Sequence, residues 1–126
     1  LKAVIIDTNG LMIPGQFGVD IFSELERLGF QEFLVPSPVV RELERIARSG
    51  KGKDRNAASI GRQLLHKCRI VETVGGGDEA VLSLALERGA AVLTNDSDLK
   101  KRLSRKGVSV VYLRQRSYLV KNKNDL

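Results

Sequence analysis

Four acidic side chains stand where short apolar runs stop or where helices begin. Ala3-Val4-Ile5-Ile6 runs straight into Asp7-Thr8-Asn9, and Ala91-Val92-Leu93-Thr94 runs into Asn95-Asp96-Ser97-Asp98. Glu42 falls in the early turns after Ser37-Pro38, and Asp78 follows Gly75-Gly76-Gly77. If the apolar runs are strands of a parallel sheet, strand ends and the starts of the following helices share one edge, where ligands bind. Carboxylates tens of residues apart then meet. At ~5 Å and an effective dielectric of ~20, each pair repels by roughly 3 kcal/mol, so protons or cations must neutralise the cluster. Oxygen ligands without sulfur or imidazole point to Mg²⁺ or Mn²⁺. Such an ion activates a water for in-line attack on a phosphodiester and stabilises the leaving oxygen.

Each acid also has a plainer role. Asp7 can cap a helix, although Thr8 and Asn9 beside it are suited to orienting a site carboxylate. Glu42 competes with Glu44, and its place next to Leu43 puts it at the inner edge of its helix. Asp78 competes with Glu79, either of which can serve a helix N-terminus. Asp96 and Asp98 divide between ligand and cap, with Asp96 taken as the ligand and Asp98 as an auxiliary. The glycines at 75–77 lack the following lysine of a phosphate-binding loop.

The elements that must hold these acids alternate strand and helix. Ala3–Ile6, Phe33–Val35, Arg69–Val74, Ala91–Thr94 and Val108–Leu113 read as strands, the first with the unbroken apolar run of one covered on both faces. Ile21, Phe22, Leu25 and Leu28 mark a helix that Gly29 ends. Ser37 as N-cap and Pro38 open another, with Val39, Val40, Leu43 and Ile46 inward. Further helices are expected over 54–67, from Asp78 to Gly89, and over 98–106. Gly10 to Gly18, broken by Pro14 and Gly15, reads as a loop. With no hairpin signals, the fold class is α/β: a three-layer α/β/α arrangement with a central parallel sheet.

The 126 residues make one domain with an ordinary apolar fraction of 42%. No apolar run approaches the ~18 residues of a membrane span, and no signal peptide is visible, so a cytoplasmic location is expected. Cys68 alone excludes an internal disulfide or thiolate cage, and His66 alone leaves little for histidine chemistry. The net charge of +6 is uneven. Residues 100–126 hold nine Lys/Arg against Asp125, a balance of +8, while the first 99 residues balance to −2. A basic end beside a near-neutral body suits a polyanionic partner.

Taken in order, Asp7-Thr8-Asn9, Ser37-Pro38-Val39-Val40-Arg41-Glu42-Leu43, Asp78 after its glycines, and Thr94-Asn95-Asp96-Ser97-Asp98-Leu99 resemble the PIN (PilT N-terminus) domain nucleases. Each fragment is weak alone, but the ordered set spans nearly the whole chain. The resemblance implies a single PIN-like domain over 1–126, with a basic tail from about 114. It also implies a Mg²⁺ or Mn²⁺ pocket and endoribonuclease activity on single-stranded RNA. By position, Asp7, Glu42, Asp78 and Asp96 are the catalytic acids, and Asp7, Asp78, Asp96 and Asp98 the metal set. Thr94 resembles the family's supporting hydroxyl, with Thr8, Asn9 and Asn95 as further supporting residues.

Lys51-Gly52-Lys53 and the segment 111–119 look like the branch related to ribosomal RNA processing endonucleases. That branch implies a ribosomal RNA precursor as partner, with Lys51 and Lys53 on the RNA, and a homodimer is compatible with it. By their types Arg114, Arg116 and Tyr118 supply phosphate contacts and a stacking surface, and the compatible alternative is a tail packed against the sheet through Tyr112, Leu113 and Leu119. The competing branch is the ribonuclease toxin of a toxin–antitoxin pair, whose partner would be an antitoxin protein. A catalytically weak RNA-binding scaffold is the third reading. A phosphoacceptor domain would need adjacent acids after the first strand, and an aspartyl-nucleophile phosphatase an Asp where Asn9 stands.

Overall fold

Four apolar residues with no polar interruption form β1 (Ala3–Ile6), whose Val4, Ile5 and Ile6 are fully buried in the computed structural model, which describes residues 2–122. The rest of the framework, in chain order, is α1 (Thr8–Phe17), α2 (Ile21–Arg27), β2 (Glu32–Pro36), α3 (Ser37–Ser49), α4 (Gly52–Gln63), β3 (Arg69–Val71), α5 (Gly77–Arg88), β4 (Ala91–Leu93), α6 (Ser97–Arg105), β5 (Val110–Arg114) and β6 (Tyr118–Asn122). A single 3-10 turn, Leu64–Lys67, follows α4.

The sheet has the order β3-β2-β1-β4-β5-β6. Its first five strands are parallel, and β6 returns antiparallel to β5. Helices cover both sides of this mixed sheet. β1 pairs with β2 on one side and β4 on the other, so the strand order reverses there. Crevices for ligands open at such a switch point, at the carboxyl ends of the strands. Asp7 and Asp96 follow the two strands that flank it.

Two sequence expectations are corrected. The residues 10–18 form α1, not a loop. Asp7 caps this helix by accepting the Gly10 N–H at 2.6 Å, and Gly18 closes it at φ 69°. Its glycines serve close packing rather than a turn. A Cβ at Gly10 would stand 2.8 Å from the Leu93 carbonyl oxygen, and one at Gly15 would stand 2.6 Å from the Ala57 Cα.

The second correction concerns the chain end. The expected basic tail is the β5–β6 hairpin, with Leu119 fully buried and Arg114 paired with Tyr118; residues 123–126, including Lys123 and Asp125, lie outside the described residues. Gln115 and Arg116 turn the chain at φ 53° and 59°. Left-handed central residues are what a primed turn needs, and the usual Asn-Gly signature is missing here. The turn therefore left no mark in the sequence, whereas the packing of the segment against the sheet through Leu113 and Leu119 is legible in its apolar residues.

Smaller differences concern helix starts and strand lengths. Ser37 is the first residue of α3 rather than its cap, and its Oγ accepts the Thr73 N–H at 3.1 Å. The expected helix over 54–67 ends at Gln63 before the 3-10 turn. The strand at 69–74 stops at Val71, and Val74 is 91% exposed.

Candidate active site

The carboxylate of Asp7 is buried where β1 stops, held by the Gly10 N–H at one oxygen and by the Thr94 hydroxyl. Burial pushes its pKa from 3.8 up to about 7. The two hydrogen bonds pull it down, and the nearby charges of Asp78 and Asp96 push it further up. Burial thus favours the protonated form of this acid far more than in an exposed carboxyl.

Thr94, fully buried at the end of β4, serves two acids at once. Its hydroxyl donates to Asp7 and accepts the Asp96 N–H at 3.0 Å. Asp96 is the N-cap of α6 and accepts the Leu99 N–H at 3.0 Å. Glu42, exposed on α3, receives the Thr8 hydroxyl at 2.6 Å. Asp78 stands in the first turn of α5. Its pKa is raised by partial burial and then by Asp96 and Glu42, against the pull of Arg102.

These four acids, with Thr8 and Asn9, line one cavity of about 250 Å³ floored by Met12, Val39, Ile46 and Val81. A pair of asparagines fixes its frame. Asn9 Oδ1 accepts the Asn95 N–H at 2.9 Å, and Asn95 Oδ1 accepts the Leu113 N–H at 2.8 Å. The ends of β1, β4 and β5 are thereby tied together.

Asp98 is not brought in. It sits on the exposed side of the first turn of α6, outside the cavity wall, because Asp96 occupies the capping position that faces inward. Lys51 and Lys53 are exposed at the start of α4, away from that wall. Arg114 is exposed at the end of β5, Tyr118 is half-buried, and the Arg116 guanidinium lies 5.4 Å from the Phe17 ring centre. Arg102, not singled out from the sequence, bonds Glu79 at 2.6 Å beside Asp78. The only sequence signal for it was the acid adjacent to Asp78.

Among the described residues, no three acidic, histidine or cysteine side chains already form a ready metal cage. The donor chemistry nevertheless suits Mg²⁺ or Mn²⁺. Mg²⁺ keeps several waters and is held by one or two carboxylates plus phosphate oxygens, so an open all-oxygen pocket fits it. Burial first, and then the neighbouring acids, disfavour the ionised forms of Asp7 and Asp78, a cost that a bound cation would offset. Elsewhere the plain readings hold. Burial pushes the Cys68 thiol up to about 12, and His66 bonds the Gln63 carbonyl at 2.8 Å.

Sheet order, switch-point cavity and acid set together define an α/β domain with an acidic pocket at the carboxyl edge of a mostly parallel sheet. The PIN-like domain family profile matches residues 4–116, and the chain belongs to that family. It is 34% identical over 115 residues to Ribonuclease VapC9 of Archaeoglobus fulgidus, covering 91% of this chain and 85% of that protein. It is 31% identical over 121 residues to Ribonuclease VapC4 of Methanocaldococcus jannaschii, covering 91% and 92%. Among solved structures, the PIN domain endonuclease Utp24 superposes with a TM-score of 0.76 at 22% identity, over 96% of this chain and 91% of that one. A domain of a functionally unknown Methanocaldococcus jannaschii protein gives 0.65 at 20%, over 100% and 98%. These two likenesses establish the fold.

Proposed function

We propose that the chain is a divalent-cation-dependent endoribonuclease acting on single-stranded RNA, and that it is the toxin of a toxin–antitoxin pair. The observation that carries the chemistry is the single cavity lined by Asp7, Glu42, Asp78 and Asp96. The choice of branch rests on the curated relatives, both VapC ribonucleases above 30% identity. The expected kinship with ribosomal RNA processing endonucleases has weaker support, because the likeness to Utp24 is one of fold at 22% identity.

In this reading Asp7, Asp78 and Asp96 hold Mg²⁺ or Mn²⁺. Such an ion would supply Lewis-acid stabilisation of developing negative charge and a lowered pKa for water. A cation held there would favour the ionised form of Asp7. Thr94 keeps Asp7 and Asp96 in register. Glu42, oriented by Thr8, accepts a proton from the attacking water as the water oxygen bonds to phosphorus; the P–O bond to the leaving oxygen breaks, and that oxygen takes a proton from solvent. Arg102 is held back on the rim by Glu79, so it moderates the acidic charge without filling the pocket.

The test is cleavage of end-labelled single-stranded RNA with Mg²⁺, Mn²⁺ or chelator, comparing parent with Asp7→Asn. Metal-dependent cutting by the parent and loss in the variant, on the order of 10²-fold or more, is the expected result. Cutting that survives chelation or the substitution would end this reading. Growth arrest on expression of the parent but not of Asp7→Asn separates the toxin role from RNA processing.

A further inference from the structure

We propose that the outer face of α6 and the open face of the β5–β6 hairpin form a track for single-stranded RNA leaving the acidic cavity. The inference rests on the nuclease reading above and adds a second, separate contact surface. The groove is lined by Ser97, Lys100, Lys101, Ser104, Arg105, Val110, Tyr112 and Asn122, with a volume of about 590 Å³. Three of its lining residues are cationic and none is acidic. It begins at Ser97, the neighbour of the cavity acid Asp96. From there to Arg105 the helix rises about 12 Å.

The charges of α6 are sorted by face. Arg102 bonds Glu79 on the side of α5, whereas Lys100, Lys101 and Arg105 line the groove. The sheet supplies aromatic surface. Strand pairing sets Val110, Tyr112 and Arg114 opposite Asn122, Val120 and Tyr118, so all six share one face of the hairpin. Tyr112 and Tyr118 are diagonal neighbours there, and the Lys100 ammonium lies 4.6 Å from the Tyr112 ring centre. Cations that follow a backbone, beside rings on which bases stack, are what binding of single strands without sequence readout requires. The hairpin turn stands at the same sheet edge as the cavity, because β5 runs parallel to β4.

Affinity is measured in the Asp7→Asn background, so that RNA survives, at several salt concentrations. The triple substitution Lys100→Gln, Lys101→Gln, Arg105→Gln on this exposed helix face is expected to weaken binding. It should also flatten the slope of log K against log salt by about 2, at ~0.7 per phosphate contact. Tyr112→Leu should cost about fivefold or more, while Tyr112→Phe, which keeps the ring, restores affinity.

Should the parent cleave RNA while the triple variant keeps its affinity and slope, the track is wrong and the nuclease reading stands. Should the parent neither bind nor cleave RNA, both fall. If the triple substitution changes oligomeric state in light scattering and leaves RNA affinity alone, the face is an interface between copies, and the track is equally overturned.

Discussion

Burial strips water from the Asp7 carboxylate at the end of β1, and two neighbouring acids oppose its ionisation. The rise from 3.8 to about 7 corresponds to on the order of 4 kcal/mol favouring the protonated form in the folded state. Below pH 3.8 folded and unfolded chains both carry the proton and nothing is lost. Between 3.8 and about 7 the unfolded chain holds fewer protons, so stability falls as pH rises. Metal-free Asp7→Asn keeps the acceptor for Gly10 and removes the charge. It is therefore expected to be more stable than the parent at pH 8, with the difference shrinking towards pH 4, in denaturant unfolding at both pH values. Thr94→Val removes a donor from Asp7 and the acceptor of the Asp96 N–H. The Asp7 pKa should climb further in a carboxyl NMR titration, and stability should drop by about 1–3 kcal/mol. An unmoved Asp7 titration would contradict the bridging role given to this hydroxyl.

At the scale of elements, α1 and α4 meet through residues with little or no side chain. Gly15 faces Ala57, and a Cβ at Gly61 would come 2.5 Å from the Leu11 carbonyl oxygen. Helix propensity alone favours Gly61→Ala by about 1 kcal/mol. Here the backbone contact decides the sign: α4 must move off α1, which carries Thr8, Asn9 and Met12 of the cavity. Gly61→Ala is expected to destabilise by about 1–3 kcal/mol, read from the shift of the denaturation midpoint. A gain in stability would show that the two helices slide apart freely.

Across the whole molecule, the cavity gathers Asp7 after β1, Glu42 on α3, Asp78 on α5 and Asp96 between β4 and α6. A cation among them links segments spread over most of the chain. Binding to the folded state alone stabilises it by about 2.7 kcal/mol at a hundredfold excess over Kd. Mg²⁺ or Mn²⁺ should raise the Tm of the parent and move Asp7→Asn much less, in thermal melts at pH 8 without RNA. Equal shifts in both proteins would place the ion elsewhere. The same large-scale arrangement sets an acidic cavity beside the basic face of α6, which is how a polyanion meets a cation site without being repelled.

The strand ends were legible because their signals are local: an unbroken apolar run stopped by Asp7, another stopped short of Asp96. Alternation of strand and helix, with helix faces such as Val39, Leu43 and Val81, pointed to the parallel sheet, and topology then put the four acids at one edge. Three features were decided by tertiary structure. Gly10, Pro14 and Gly15 look like loop residues in one dimension, and only the closeness of Leu93 and Ala57 shows that the two glycines stand there for packing inside a helix. The β5–β6 hairpin turns on Gln115 and Arg116 in left-handed conformations that their side chains do not advertise; the burial of Leu119 and its pairing with Leu113 hold them there. Asp96 and Asp98, with one residue between them, were separated in the sequence only as ligand and auxiliary. The cap on Leu99 and the bond to Thr94 turn Asp96 into the cavity and leave Asp98 in solvent. Sequence specifies what a residue prefers by itself, and these three outcomes depend on what distant residues place against it.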